Sequence, residues 1–504
     1  MKKLIFLVLL GLALVCPNDC FAIIVSGTCG TCRWTITDDG VLTIEPCDGK
    51  EGELADWGRT RGPWDYSKEK VKKVKFNGKV KAKTCYSMFD RFVNCTSIDL
   101  NGLDTGDVID MAFMFNFCEK LPSIDLRPLN TRNVKWINTL FQCCYELKEV
   151  DLSCFDTRSL EKIEWLFYGC KSLSKVNFKN FDTSKVYDMR CTFMYCPSLK
   201  SIDLSGFDTS SAKYMSNMFN GCTGLTNLDL KNFRTPNALT MDRMFYNCEK
   251  LSNLNIPNLT TDNVTDMYGM FYGCKLLKSI DVRKFRTSKV TDMSFMFNRC
   301  ASLLNIDLSS FNTSEVTNMN SMFDSCVVVK SINISSFNTS KVENMLDLFR
   351  ECKALKTLDL SKLNTSKVQV MSGMFRDCVN LTTLNLTNFS TTQAKDVDYM
   401  FANCKNLMTI TSSSSTPSSL KDNTFSTMPT LGKCKLTCPS ASTAAYKKAA
   451  GWKYLFPGTT GIEEIESPAS DNQQPSPVFS TNGTRLSAPR KGINIINGKK
   501  VLVR

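Results

Sequence analysis

Phe193-Met194-Tyr195-Cys196-Pro197-Ser198-Leu199-Lys200-Ser201-Ile202-Asp203-Leu204-Ser205-Gly206-Phe207-Asp208-Thr209 is one copy of a pattern that recurs down the chain at a fixed interval. The leading Phe stands at 89, 115, 141, 167, 193, 219, 245, 271, 297, 323, 349, 375 and 401, each step being 26 residues. A period held without insertion or deletion marks one coil of a stack, because an added residue would shift every side-chain column above it. Each unit reads roughly Met-Phe-x-x-Cys-x-x-Leu-x-x-Ile-Asp-Leu-Ser-x-Phe-Asp-Thr-Ser-x-Val-x-Asp-Met.

Within a unit, Leu199-x-x-Ile202-x-Leu204 resembles the strand signature of a leucine-rich repeat. Alternation there puts Asp203 outward and its apolar neighbours inward. The Phe-Asp-Thr-Ser that follows is turn chemistry, since short oxygen-bearing side chains bond nearby backbone amides. Val290, Met293, Met296 and Phe297 fall at i, i+3, i+6 and i+7, which predicts one face of a short helix or 3₁₀ segment. The expected fold is therefore an α/β solenoid of strand, turn and short helix per coil. No coil buries enough apolar surface alone to offset its backbone entropy, so the coils must stack.

The ends set the compartment. Lys2 and Lys3 precede an apolar run over residues 4–15, and Cys20-Phe21-Ala22 closes the segment, as in a secretory leader cleaved after Ala22. The run is too short to span a bilayer, and no other stretch approaches that length. Val15 stands where a lipobox carries a small residue, which argues against lipidation of Cys16. The net charge of +13 is spread over 504 residues, and no basic cluster with interleaved aromatics stands out, so nucleic acid is not an expected partner. There is no histidine, which removes Ser-His-Asp and Cys-His catalysis and His-ligated zinc together.

The repeated Phe-Asp-Thr-Ser-x-Val-x-Asp-Met-x-x-Met-Phe-x-x-Cys unit resembles the BspA-like leucine-rich-repeat surface proteins of bacteria. The unit departs from the pattern at Phe92 and Cys95, which replace Cys and Leu, and at Thr192, where Met is usual. The resemblance implies a solenoid over 85–411, a β-rich amino-terminal cap over 23–84 and a carboxy-terminal cap over 412–457. Residues 33–45 read as two strands around an Asp39-Gly40 turn, and Gly451-Trp452-Lys453 is similar to a last degenerate repeat. A Pro- and Ser-rich linker over 458–477 leads to a β-hairpin tail over 478–504, with Asn482-Gly483 and Asn497-Gly498 as turns. That tail resembles the sorting segment of Bacteroidetes type IX secretion, the alternative being a small hairpin packed as an extra cap.

Twelve of the 24 cysteines occupy one column, 118, 144, 170, 196, 222, 248, 274, 300, 326, 352, 378 and 404. A residue repeated at one inward position is best read as a small buried hydrophobe, and parallel Cβ vectors on neighbouring coils oppose disulfide geometry. Cys29, Cys32 and Cys47, and Cys434 with Cys438, stay candidates for local disulfides. The Met column (267, 293, 319, 345, 371) reads as core, and the Thr column from 105 to 391 as a hydroxyl ladder in the turns. No metal or other cofactor is expected.

The outward strand position is Asp at 99, 125, 151, 203, 229, 281, 307 and 359, and Asn at 177, 255, 333 and 385. A file of carboxylates repels itself. It is either a structural ladder bonded within and between coils or a recognition face, and Asp99, Asp125, Asp151, Asp203, Asp229, Asp281, Asp307 and Asp359 are the candidate ligand residues. The resemblance implies a non-enzymatic protein on the outer surface of a Gram-negative bacterium, adhering to a host or bacterial surface protein or glycan. A structural surface-assembly component is the first alternative. A carboxylate-based carbohydrate-active enzyme is the second, and it would need two acids in unlike environments rather than one equivalent row.

Overall fold

The computed structural model describes residues 22–417 and 420–456 in full, with backbone strands at Ile462–Glu464, Val478–Ser480, Arg485–Leu486, Gly492–Ile496 and Lys499–Val503. The expected leader up to residue 21, both expected Asn-Gly turns and most of the expected linker over 458–477 lie outside the described residues. The chain divides into two compact units, Met1–Asp182 and Thr183–Arg504. Both are built of β-solenoid coils with a repeat of roughly 26 residues, about 15 coils in all.

The first unit opens with β1 (Ile23–Cys29), β2 (Cys32–Thr37) and β3 (Val41–Pro46), an antiparallel meander. It is followed by β4 (Glu51–Glu53), β5 (Lys73–Phe76), β6 (Lys79–Lys81), β7 (Ser97–Ile98) and β8 (Leu103–Asp104). β3, β5 and β7 pair in parallel, as do β4, β6 and β8. The meander thus supplies the edge on which the first solenoid strands add.

In the coils of the second unit most strands are three-residue pieces such as Asn227–Asp229 and Asn253–Asn255, paired in parallel one period apart. The middle residue points inward and its neighbours outward, as the two-residue alternation requires. Beneath them runs a column of stacked rings. Phe271 and Phe297 lie 5.5 Å apart, Phe297 and Phe323 6.0 Å, and Phe323 and Phe349 5.4 Å, all within 13° of parallel. The Met column is fully buried beside it.

The helix expected in each coil is absent. Among the described residues the one α-helix is α1 (Thr443–Lys448), beyond the regular coils. Where a helix was predicted, alternate amides point along the stack instead. Phe295, Phe297 and Arg299 donate to the carbonyls of Asn320, Met322 and Asp324 in the next coil, at 2.8, 2.9 and 2.8 Å. The amides between them close tight turns, Met296 onto Met293 and Asn298 onto Phe295. An α-helix would send each amide four residues back and leave neighbouring coils unjoined. Phe295 and Arg299 therefore sit at φ 58°, and this pair of left-handed residues recurs coil after coil, as at Phe113 and Phe117 or Ser321 and Ser325. The spacing of Val290, Met293, Met296 and Phe297 fits such a turn ladder as well as it fits a helix.

After the last regular strand, Thr409–Thr411 pairs with Lys435–Thr437. Tyr446 and Trp452 then bury against one another at 5.4 Å, and the Tyr446 hydroxyl meets that of Ser412 at 2.8 Å. The final five strands form one sheet in the order 462–464, 499–503, 492–496, 478–480, 485–486. Gly492–Ile496 and Lys499–Val503 run antiparallel in it.

Candidate ligand-binding face

All eight candidate aspartates stand exposed, Asp99, Asp125 and Asp151 in the first unit and the other five in the second. A strand contains or ends beside Asp99, Asp151, Asp229, Asp307 and Asp359, and none is formed at Asp125, Asp203 and Asp281. Each also holds a turn. The amide two residues ahead donates to Oδ1 of the Asp, at 2.9 Å for Ser205 on Asp203 and 3.1 Å for Lys231 on Asp229. The same bond recurs at Asp99, Asp125, Asp151, Asp281, Asp307 and Asp359. Asn177, Asn333 and Asn385 make it with their amide oxygens. Residue 257, two past Asn255, is proline and has no amide to give.

Several asparagines also reach back one coil. Asn255 Nδ2 donates to Asp229 Oδ1 at 2.8 Å, and Asn333 Nδ2 to Asp307 Oδ1 at 2.9 Å. Neutral donors between carboxylates relieve the repulsion that an unbroken file would carry. Arg127 and Arg283 clamp Asp125 and Asp281 through two nitrogens each. Those guanidinium bonds, with the backbone amide, hold both carboxyls down at about 2. Asp203, Asp229, Asp307 and Asp359 are lowered chiefly by the turn amide, and Asp151 by Ser153. Asp203, Asp307 and Asp359 make no ion pair among the described residues.

The cysteine column is a ladder of free thiols. From Cys222 to Cys404 each Sγ donates to the carbonyl of the Phe in the coil before, at 3.0 Å from Cys222 to Phe193 and 3.1 Å from Cys300 to Phe271. Burial pushes these thiols up, Cys222 and Cys274 to about 12. Cys29, Cys32, Cys47, Cys434 and Cys438 are also free. Thr192, standing for Met, is fully buried and donates to the Met189 carbonyl at 2.7 Å. Among the described residues no group of three or more Cys, Asp or Glu is gathered as a metal would require.

The sequence reading missed the face formed by the turn ladder. It carries rings and guanidinium groups, with Tyr246 stacked on Tyr272 at 4.2 Å and Arg243 over Tyr268 at 4.2 Å. It also missed Trp57-Gly58-Arg59-Thr60-Arg61-Gly62-Pro63-Trp64-Asp65-Tyr66, where basic and aromatic residues do interleave. That decapeptide was a readable signal.

Short parallel strands in an LxxLxL register, stacked at one constant period over buried Phe and Cys columns, define a leucine-rich-repeat β-solenoid. A family profile described as Mycoplasma protein of unknown function, DUF285, matches residues 83–178, 166–279, 250–332, 267–357 and 327–428. The chain belongs to that family. No curated protein matches it. Among solved structures it is similar to a leucine-rich cell surface protein from Faecalibacterium prausnitzii A2-165, at 16% identity and a TM-score of 0.37, covering 77% of this chain and 95% of that one. A leucine-rich repeat protein from Eubacterium ventriosum ATCC 27560 gives 16% identity and a TM-score of 0.27, covering 70% and 95%. The functional domain of InlJ from Listeria monocytogenes, described as including a cysteine ladder, gives 11% and 0.16, covering 65% and 70%. No helix among the described residues is long and apolar enough to cross a membrane.

Proposed function

We propose that the chain is exported and displayed on the outer surface of a bacterium, where its strand face binds a protein or glycan of a host or neighbouring cell. The leader-like segment ending at Ala22 and the BspA-like repeat support export and display. The observation that carries the binding role is that these carboxylates stay exposed and charged although the turn asks only for an acceptor. Asp203, Asp307 and Asp359 accept the amides of Ser205, Ser309 and Ser361 through Oδ1 and interact with the hydroxyls of the same serines, yet they stand exposed and make no ion pair among the described residues. The turn needs an acceptor oxygen and not a negative charge, and Asn333 and Asn385 supply it elsewhere in the same file. On this reading the meander over 23–84 and the segment over 412–457 cap the coils, and the tail over 478–504 is a sorting segment.

The test replaces Asp203, Asp229 and Asp281 with Asn together and measures binding to immobilised matrix proteins and glycans beside thermal melting. The expected result is weakened binding at an unchanged melting temperature, since Asn keeps the turn acceptor. Full binding at full stability would count against the strand face. A lower melting temperature with affinity retained would mark the file as structural.

A further inference from the structure

The first unit holds a cleft of about 620 Å³ between the 57–66 loop and the turn ladder of the first coils. Four bonds pin that loop. Trp57 Nε1 donates to the Tyr86 carbonyl at 2.9 Å and Trp64 Nε1 to the Met88 carbonyl at 2.7 Å. Arg59 Nε reaches Asp110 at 3.2 Å, and Arg61 Nε reaches Asp90 at 3.0 Å. A loop fastened at four points makes a preformed cavity, and its volume is in the range that takes a small ligand.

The lining combines three kinds of group. Arg59, Arg61 and Arg91 bring guanidinium forks, and these are not fully used within the protein. The contacts of the Arg91 side chain are Asp90 at 3.9 Å and the Phe117 ring at 5.2 Å, neither of them a hydrogen bond. Asp65 and Asp90 bring acceptors, and Tyr66, fully exposed, brings an uncovered ring at the lining. Asn116 adds an independent sign. It is 4% exposed and lines the cleft, and its Nδ2 donates to Asp90 Oδ1 at 2.8 Å, yet its amide oxygen has no hydrogen-bond partner. A buried acceptor left unpaired is costly and marks a place where a donor is wanted.

We propose that this cleft binds a sugar unit bearing a single carboxylate. The Arg forks match a carboxylate bidentately. The Asp oxygens accept from ring hydroxyls, and the Tyr66 ring covers an apolar sugar face. A polyphosphate fits worse, because Asp65 and Asp90 meet it as like charges. Such a unit occurs at the ends of sialylated glycans and along uronic-acid polysaccharides, and the chemistry of recognition is shared. The proposal is independent of the strand-face reading, from which it takes no residue.

The experiment titrates the purified chain with 3′-sialyllactose, with a galacturonate trisaccharide, with lactose and with ATP. Saturable binding of one carboxylated probe is expected, and which one names the source. Lactose and ATP should bind at least about tenfold more weakly, given the strength of charge-assisted bonds and the like charges in the lining. Arg91→Gln should weaken the carboxylated probe by about tenfold, and Tyr66→Ala by several-fold. Neither should move the melting temperature, because Arg91 is half exposed and Tyr66 wholly so. Added salt should weaken binding. The proposal is overturned by no saturation with either carboxylated probe, by equal binding of lactose or ATP, or by wild-type affinity in both variants.

Discussion

The Thr261 hydroxyl donates to the Arg286 carbonyl at 2.8 Å and accepts the amide of the same residue at 2.8 Å. One side chain thus does for the next coil what a paired strand would do, at a point where no strand runs. The arrangement repeats from Thr209 on Arg234 to Thr365 on Ser390, always with the threonine buried.

Thr261→Val keeps the shape and leaves that amide and carbonyl without partners. It should destabilise the chain by about 1–3 kcal/mol, the usual cost of an unsatisfied buried group. Thr261→Ser should cost less, because the hydroxyl stays. Equal melting temperatures for Val and wild type in thermal unfolding would refute the ladder's role.

The ring column makes a larger prediction. Phe297 is fully buried between Phe271 and Phe323. Phe297→Ala should cost about 3–5 kcal/mol through lost contact and the cavity it leaves. Denaturant melts of the purified variant measure it, and a loss below about 1 kcal/mol would mean that neighbouring coils collapse onto the gap.

The column thiols should be silent in the native protein. Iodoacetamide is expected to label exposed Cys47 at once and Cys222, Cys274 and Cys300 only in denaturant, since burial raises these three and hides them. Peptide mapping reads both states. Disulfides joining successive units would contradict the ladder.

Acid stability follows from the strand face. The Asp281 carboxyl lies below its unfolded value of about 4, held down by Arg283 to about 2. Its contribution is therefore complete above pH 4 and disappears as pH falls toward 2. Asp281→Asn keeps the turn acceptor at every pH. Between pH 4 and 2 its melting temperature should fall less than that of wild type, while at pH 7 the two should agree within about 1 kcal/mol, the worth of an exposed ion pair. Parallel slopes across that window would disprove the linkage.

What could be read from the sequence was whatever the period repeats. The strands of the LxxLxL register, formed at Asn227–Asp229 and Asn305–Asp307 though not at Ile202 and Leu204, the buried Cys and Thr columns and the outward Asp file all follow from one residue type held at one position. The turn ladder was hidden for a physical reason. Its left-handed positions carry Phe113, Trp165, Arg243, Phe295 and Tyr399, residues with no leaning toward positive φ. Only the scattered Gly169, Gly221, Gly269, Gly273 and Gly373, with Asn217, Asn247 and Asn403, in the same two columns gave the conformation away. The cleft was legible in composition at Trp57 to Tyr66 but not in period, since that loop occurs once.

A stack sealed by identical donors and acceptors has consequences for the gene as well as for the molecule. Each coil offers its successor the same threonine hydroxyl, the same Phe carbonyl for a thiol and the same row of amides. A recombination that removes or duplicates one coil's worth of codons would close on matching edges, whichever copy it used. Such a slip would change how far the chain reaches and which exposed side chains stand beside each other, while the seam stays the same. Slippage by any other number of codons would misplace every column at once, so heredity in this chain is counted in whole coils.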